Sequence, residues 1–457
     1  MVGANVADTF ADRSPRLLGG RAGAATADAA PSMPPALPPV PWRWRLGTGD
    51  QALRRACWAL FLLLTLTQIT MAFAVVSPLA LAVLVAARRV TWLVVTVIAV
   101  FDVLSAKPSD QLKPLLAFVP FGLAGIGSAL LGDAPVDGVA KVALWLMTVL
   151  SACVIGRKFR NIHLPAVLLV WFGAVLLASI VVALAFPRIG VIADGRVAHG
   201  AWRGVFVAKN WLAWYAGFAV LLAAFGGGLR IMFRVALTVL AGACLYFAHS
   251  AGSVMALGAV AGIMALIALW RRLGLSPGMR VLANASVLGV AAIAGSIGYR
   301  GILAALGRNV TLTGRTTIWQ AYFSRALDTW VYGAGPGSFT ELSSATQDVG
   351  LRFQTLGKIY TPHNFFIAVF GETGIIGLLA YVLAFATILF NEWQVPHAKS
   401  RDLLQAFTLF FLISGLDETH EVFGVGAGIF MIMLIRAWGW PDRPAPVVNA
   451  PGLHGAT

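Results

Sequence analysis

Long apolar runs recur along this chain and limit what it can fold into. They follow one another from about Cys57 to about Trp438. An α-helix needs about 20 residues to cross a bilayer core of about 30 Å, and many of these runs approach that length. Hydrophobic residues make up 59% of the chain and charged residues only 12%, which excludes a soluble core of ordinary composition. We therefore predict an all-α polytopic integral membrane protein whose partners include membrane lipids.

The apolar runs predict about twelve transmembrane helices. The first run could continue through Pro78 to residue 87, as one broken helix or as a short hairpin, so the count within 56–105 stays open. The predicted spans are 56–76, 91–105, 114–131, 138–155, 164–186, 210–226, 231–248, 252–270, 280–299, 364–391, 403–416 and 424–438. Together they define a membrane domain at 56–440.

Both ends of the chain differ from this domain in composition. Residues 1–50 are rich in Ala, Pro and Gly, and 441–457 are similar. Such tracts bury too little apolar surface to order themselves, so both are predicted to be disordered cytoplasmic tails. The first tract also lacks the apolar core of a signal peptide.

Loop charges orient the spans. Basic residues concentrate in the loops at 156–160, 230–234, 271–280 and 397–401. The positive-inside rule places these loops in the cytoplasm. The loop 187–209, the large loop 300–362 and the acidic turn 417–421 then share the outer face. Arg88 and Arg89 conflict with this arrangement if 56–87 is a single span.

The large loop is predicted to meet an anionic substrate. It holds six cationic side chains against three anionic ones, a net charge of +3. The residues are Arg300, Arg308, Arg315, Arg325, Arg352 and Lys358 against Asp328, Glu341 and Asp348. The whole chain has a net charge of +15, and its basic residues are scattered over short loops without a basic stripe or motif, so no nucleic-acid partner is predicted.

Arg203 and Arg315 are the candidate ligands for a diphosphate. Each lies in an outer loop beside glycine and tryptophan, in Trp202-Arg203-Gly204 and Gly314-Arg315-Thr316-Thr317-Ile318-Trp319. A guanidinium offers a planar, permanently charged fork that matches phosphate oxygens. The alternative is that each arginine anchors a helix at the membrane interface.

His363 and Glu372 are the candidate ionisable residues at the membrane. His363 stands where the large loop re-enters a helix, and an imidazole can take and give a proton near neutral pH, as a general base must. It could instead be a polar residue that starts a helix. Glu372 falls inside a span, where a carboxylate is costly and is functional or pairs with a basic residue.

Two other patterns resemble binding sites, but neither is predicted to bind a ligand. The stretch from Gly333 to Gly337 resembles a phosphate-binding loop but lacks a preceding strand and a following Lys-Ser/Thr, so we interpret it as a turn. His420 with Asp417, Glu418 and Glu421 has no second histidine at helical spacing, so no metal site is predicted.

In the order of these motifs, the chain resembles the O-antigen ligase and polymerase superfamily of bacterial envelope glycosyltransferases. The resemblance covers roughly residues 56–440 and excludes both tails. The matching motifs are Arg203-Gly204, Lys209-Asn210, Gly314 to Trp319, Gly333 to Phe339, His363-Asn364 and Glu372-Thr373-Gly374. The sequence from Trp202 to Phe206, together with Lys209-Asn210, is more similar to that of the exopolysaccharide polymerases than to that of the ligases.

The resemblance implies a C-type, metal-independent, inverting glycosyltransferase without a cofactor, in the bacterial inner membrane, with its large loop in the periplasm. Its donor would be an undecaprenyl-diphosphate-linked oligosaccharide, and its acceptor a glycan or the lipid A core. His363 would be the base, and Arg203 and Arg315 would bind the diphosphate. The remaining residues predicted to bind substrate are Lys209, Asn210, Trp319, Asn364 and Glu372.

Three alternatives remain beside a polymerase. An O-antigen ligase would use the same donor and lipid A core as acceptor. A lipid-linked glycan flippase would be expected to show internal repeats, and none is seen in the sequence. A structural scaffold explains the helices but not the clustered arginines, His363 and the glycine-rich turn.

The predicted topology can be tested with an impermeant thiol reagent. A cysteine replacing Ser344, in the large loop, should label in intact spheroplasts. A cysteine replacing Ser276, in a basic loop, should label only after the membrane is opened. The reverse pattern would contradict the orientation and the shared outer face.

Overall fold

The computed structural model describes most of the predicted membrane domain. The described residues are 78–105, 113–159, 163–193, 199–276, 278–279, 282–283, 286, 315–341, 343–352, 361–390, 398–420 and 422–440. The predicted tails, the span 56–76, most of the span 280–299, and Arg300, Arg308, Gly314, Lys358 and Glu421 lie outside them.

Helices make up all the regular structure of these residues; two extended residues, Val191 and Trp202, form an isolated bridge. The helices are α1 Pro78–Ser105, α2 Val119–Leu131, α3 Pro135–Lys158, α4 Leu164–Ala185, α5 Lys209–Phe225, α6 Ile231–Ala248, α7 Ala251–Arg272, α8 Arg315–Ala326, α9 Ser344–Arg352, α10 Phe365–Phe390, α11 Ala398–Ser414 and α12 Ala427–Trp438, with a single four-residue turn of helix, Pro187–Gly190, after α4. A 3-10 segment, Lys113–Phe118, leads into α2, and another, Leu327–Thr329, follows α8.

Six segments within the described ranges are long and apolar enough to cross a membrane. They are Lys113–Leu131, Pro135–Lys158, Leu164–Ala185, Ile231–Ala248, Ala251–Arg272 and Phe365–Phe390. The described part of the chain is therefore helical and has the length and composition of a polytopic membrane protein, and the count of twelve spans stays a prediction. The predicted start of a span at residue 91 is wrong: α1 begins at Pro78 and runs unbroken through 88–91, because arginine has good helix propensity and proline is tolerated in the first turn of a helix.

Aromatic side chains pack the interior of the bundle. Phe121 of α2 stacks on Phe423 with ring centroids 5.0 Å apart, and Trp145 of α3 meets Phe121 edge-on at 5.3 Å. Gly125 allows this approach, because a Cβ there would lie 2.5 Å from Phe423 Cζ. Without a hydrophobic drive between helices in lipid, such close contacts supply much of the association energy.

Helix α10 is broken where the large loop meets it. Gly374 has φ +64°, outside the helical region, so neighbouring backbone groups lose their helical partners. The stretch Trp330–Gly335, here called the strap, replaces them. Ile375 N–H donates to Trp330 O at 2.8 Å, and Ala334 N–H donates to Gly371 O at 2.8 Å. Backbone groups of the large loop thus form hydrogen bonds that α10 lacks at its break.

The described part of the large loop is ordered around two short helices. Helix α8 begins at Arg315, directly after Gly314, and it contacts α10. Gly333, Gly335 and Gly337 all have positive φ, so the glycine-rich stretch forms the predicted turn. The loop therefore brings α8 against the start of α10, where His363 lies.

Candidate functional site

His363 lies immediately before α10 in an unusual backbone conformation. Its φ is +50°, in the left-handed region that few non-glycine residues adopt. Trp319 of α8 donates its indole N–H to His363 O at 3.3 Å. The ring is partly exposed, at 37% of its side-chain surface. Strain of this kind is often found where a side chain must be aimed in one direction.

Glu418 is the partner of the His363 ring. His363 Nδ1 lies 3.0 Å from Glu418 Oε1. Because a carboxylate accepts hydrogen bonds, this contact places the proton of a neutral ring on Nδ1 and leaves Nε2 as an acceptor. A base oriented by a carboxylate is the arrangement that general-base chemistry uses.

Three elements meet at the Glu418 carboxylate. Asn210, in the first turn of α5, donates its amide to Oε2, and Arg315 Nη2 lies 3.6 Å from the same oxygen. Burial raises the pKa of Glu418, but the hydrogen bond and charge of His363 and the charges of Arg315 and His420 bring that pKa below its ordinary value. Glu418 is therefore ionised at neutral pH.

Arg315 is also paired with Asp417. Its Nη1 forms an ion pair with Asp417 Oδ1, and its side chain is only 13% exposed. The guanidinium thus faces two carboxylates in this structure. The acidic turn supplies both carboxylates. From sequence, this turn was not predicted to bind a metal.

Asn364 fixes the entry to α10. Its N–H donates to Thr419 Oγ1 at 3.0 Å, and its side-chain amide donates to Leu416 O at 3.1 Å. Its Oδ1 accepts from Ile367 N–H at 3.1 Å, which caps the helix. These contacts bind the His363 segment to the acidic turn.

Arg203 and Lys209 each donate a hydrogen bond to neighbouring backbone. Arg203 Nε donates to Ile189 O at 2.6 Å, and its two Nη groups make no hydrogen bond within the described part of the chain. Lys209 Nζ donates to His249 O at 3.2 Å. Trp202 stacks on Phe247 with centroids 4.2 Å apart and so fixes the loop that carries Arg203.

Glu372 is enclosed by the large loop and is fully buried. Its Oε1 accepts from Thr340 Oγ1 at 2.6 Å and from Phe339 N–H at 3.4 Å. Its Oε2 has no hydrogen-bond partner among the residues with described positions. The structure therefore separates Glu372 from the His363 cluster, and its predicted contact with substrate stays a prediction.

The cluster thus joins some of the predicted residues with two that sequence reasoning missed. Arg315, His363, Asn364 and Asn210 meet at the acidic turn, and Trp319 contacts the His363 carbonyl. The missed residues are Asp417 and Glu418 in their role as partners of Arg315 and His363. The signal was present, since the turn was placed on the same outer face as the arginines.

His420, next in the turn, is enclosed by aromatic rings. It stacks on Phe411 at 5.4 Å, and its ring lies 4.6 Å from that of Trp214. Burial lowers its pKa to about 4 against the opposing charge of Glu418, so it is neutral at neutral pH. Within the described ranges, no group of three His, Cys, Asp or Glu residues could hold a metal ion.

Two comparisons with known proteins agree with the motifs. Residues 236–382 match the family model Wzy_C, described as O-antigen ligase. The chain is also 30% identical over 242 residues to the exopolysaccharide production protein ExoQ of Rhizobium meliloti (strain 1021). That match covers 50% of this chain and 52% of the relative, so the chain matches about half of the relative's length. The predicted resemblance to the superfamily is confirmed.

The buried carboxylate of Glu372 predicts a local loss of protection when it is removed. Glu372→Ala should expose the Phe339 amide to hydrogen exchange, since a lost buried hydrogen bond costs about 1–3 kcal/mol. Glu372→Gln keeps an acceptor, so the Phe339 amide should lose less protection. The loss of protection in Thr340→Val should fall between those of the two Glu372 variants. Exchange measured by mass spectrometry in detergent checks this, and unchanged protection in Glu372→Ala would contradict it.

Proposed function

We propose that this chain, which resembles the O-antigen ligase and polymerase superfamily, is an envelope polysaccharide polymerase. It would transfer a glycan from an undecaprenyl-diphosphate-linked donor to a hydroxyl of a glycan acceptor. The reaction would take place at the periplasmic face of the bacterial inner membrane. The observation that carries the proposal is the oriented pair of His363 and Glu418 beside Arg315.

His363 Nε2 is the proposed base. It accepts the proton of the acceptor hydroxyl as that oxygen attacks the anomeric carbon. The bond from that carbon to the diphosphate oxygen breaks, and the diphosphate leaves with the electron pair. Attack opposite the leaving group inverts the anomeric centre. Glu418, ionised and 3.0 Å from Nδ1, stabilises the imidazolium that forms.

Arg315 and Arg203 are proposed to offset the charge on the leaving diphosphate. The open Nη groups of Arg203 support a role in binding an anion. Arg315 is linked to the proposed base because both contact Glu418. Charged donors fixed before the reaction stabilise developing negative charge with little reorganisation. The proposed chemistry needs no divalent ion.

A second candidate is an O-antigen ligase, which would use the same donor and lipid A core as acceptor. The description of the matched family favours it, whereas the printed name of the relative favours exopolysaccharide production. Both use the same base and the same diphosphate site, so the experiments below apply to either. Radiolabelled donor offered with each acceptor separates them.

Substitution of the base is the direct test of the mechanism. His363→Ala should reduce glycan transfer by about 10²–10⁴-fold, the usual contribution of a general base. The assay uses the purified chain, a lipid-diphosphate oligosaccharide and a chelator in the buffer. Transfer at the normal rate by His363→Ala would contradict the proposed base, and loss of wild-type activity in chelator would contradict metal independence.

Conservative substitution distinguishes phosphate binding from interface anchoring. Arg315→Lys and Arg203→Lys should each lose activity, because an ammonium keeps the charge but not the planar fork. Arg325→Lys is the matched control: it lies on the same helix, pairs with Asp328 and Asp348, and should retain activity. Normal activity in both test variants, at equal expression, would support anchoring instead.

Glu418→Gln tests whether the carboxylate supports the base. The amide can still accept from His363 but carries no charge for the imidazolium, so kcat should fall by about 10²-fold or more. Glu341→Gln is the control. It removes an exposed carboxylate of the large loop, which pairs with Lys141, and should have little effect on kcat. Equal rates in the two variants would remove Glu418 from the mechanism.

A further inference from the structure

Asn210 has both ends of its side-chain amide engaged by other side chains of the protein. Its Nδ2 donates to Glu418 Oε2, and its Oδ1 accepts from the hydroxyl of Ser250 at 3.4 Å. A side chain held at both ends in this way is suited to orienting a neighbour. The sequence motifs predicted instead that Asn210 contacts the substrate.

Ser250 precedes α7 and occupies its N-cap position. A serine there usually accepts a hydrogen bond from a backbone N–H of the first turn. Among the residues with described positions, the Ser250 hydroxyl makes no capping bond; it lies near Asn210 Oδ1 and 3.3 Å from Ser253 Oγ. Ser250 and Ser253 are both buried, so their hydroxyls depend on protein partners. The Ser250 side chain is thus directed away from the helix it precedes and toward Asn210.

The acidic turn places a carboxylate beside the start of α7. Gly252, in the first turn of α7, has no side chain, and a Cβ built there would overlap Asp417 Oδ2. A negative charge is favourable at the N-terminus of a helix. The start of α7 is therefore stabilised without a capping bond from Ser250, and the serine hydroxyl is available to Asn210.

The hydrogen bonds around Asn210 have one possible direction. Its Oδ1 can only accept, so Ser250 donates to it, and Ser253 then donates to Ser250. Its Nδ2 can only donate, and it meets a carboxylate oxygen of Glu418. A reversed amide would place two acceptor oxygens against each other. Ser250 thus keeps the donor end of Asn210 on Glu418.

The two oxygens of Glu418 have different partners. Oε1 lies 3.0 Å from His363 Nδ1, whereas Oε2 accepts from Asn210 and lies 3.6 Å from Arg315 Nη2. A hydrogen bond at Oε2 restricts rotation of the carboxylate and so fixes the position of Oε1. The position of Oε1 in turn selects the protonated nitrogen of the His363 ring and the direction of that ring.

We propose, on the basis of the proposed function, that Asn210 and Ser250 are positioning residues for the base rather than ligands of the substrate. They hold Glu418 so that His363 carries its proton on Nδ1 and presents Nε2 to the acceptor hydroxyl. The hydrogen bonds run from α7 through α5 and the acidic turn to the start of α10. Loss of either residue lowers the rate of the chemical step and leaves donor binding unchanged.

The tautomer of His363 is the direct readout, and it requires no substrate. The full chain is prepared in detergent with isotopically labelled histidine, and nitrogen NMR spectra are assigned by comparison with His363→Gln. A mildly alkaline buffer keeps the ring neutral. The wild type should show a protonated Nδ1. Asn210→Ala should show a mixture of the two tautomers, and Ser250→Ala a smaller change in the same direction.

Steady-state kinetics with the lipid-diphosphate oligosaccharide give the second readout. Asn210→Ala should lower kcat by about 10- to 100-fold, the range for loss of a hydrogen bond to a charged group, with an unchanged KM for the donor. Ser250→Ala loses a bond between neutral groups and should lower kcat by about 2- to 10-fold. Thr96→Val is the matched control. It removes a buried hydroxyl that donates to Trp92 O within α1, and it should retain the wild-type kcat.

The outcomes separate positioning from substrate binding and from the proposed function. A tautomer that matches the wild type in Asn210→Ala overturns the inference, and a wild-type tautomer in Ser250→Ala alone removes Ser250 from it. A raised KM with unchanged kcat in Asn210→Ala also overturns it, since Asn210 would then bind the donor. A wild-type chain that transfers no glycan contradicts the proposed function, and the tautomer still decides whether Asn210 and Ser250 hold the ring.

Discussion

The Glu418 carboxylate is the contact on which the rest of the site depends. It joins the ring of His363 at the start of α10, the amide of Asn210 in the first turn of α5, and the guanidinium of Arg315 on α8. These residues are far apart in sequence and lie on separate helices. A single ionised group therefore fixes the relative positions of three elements, and its low pKa keeps that link at neutral pH.

Prediction from sequence succeeded where the length of an apolar run determines the bounds of a helix. Helix α6 has the predicted bounds, and α4 differs from its prediction by one residue at its end, because a bilayer sets both length and composition. It failed at 88–91, where basic residues were taken as a loop although they continue a helix. Charge indicates which side of a membrane a loop occupies more reliably than it indicates where a helix ends.

Some members of the site were predictable from sequence, but its pairings were not. His363 and Arg315 stood out because their chemistry suits proton transfer and anion binding. Their partners Asp417 and Glu418 come from a turn more than fifty residues after His363, and no local pattern relates the two. The break in α10 could not be predicted from sequence either. Gly374 is one of many glycines, and its conformation is set by contact with the strap.

The junction between the strap and α10 bears on how freely this loop can be exchanged. Gly371, Glu372, Ile375 and Ile376 of α10 bond to backbone of the strap. In hydrocarbon, backbone groups without partners cost several kcal/mol each. A chimaera that replaced the large loop and kept α10 would leave those groups unmatched. The loop and the first half of α10 are therefore one module, and transplantation between relatives would have to move both together.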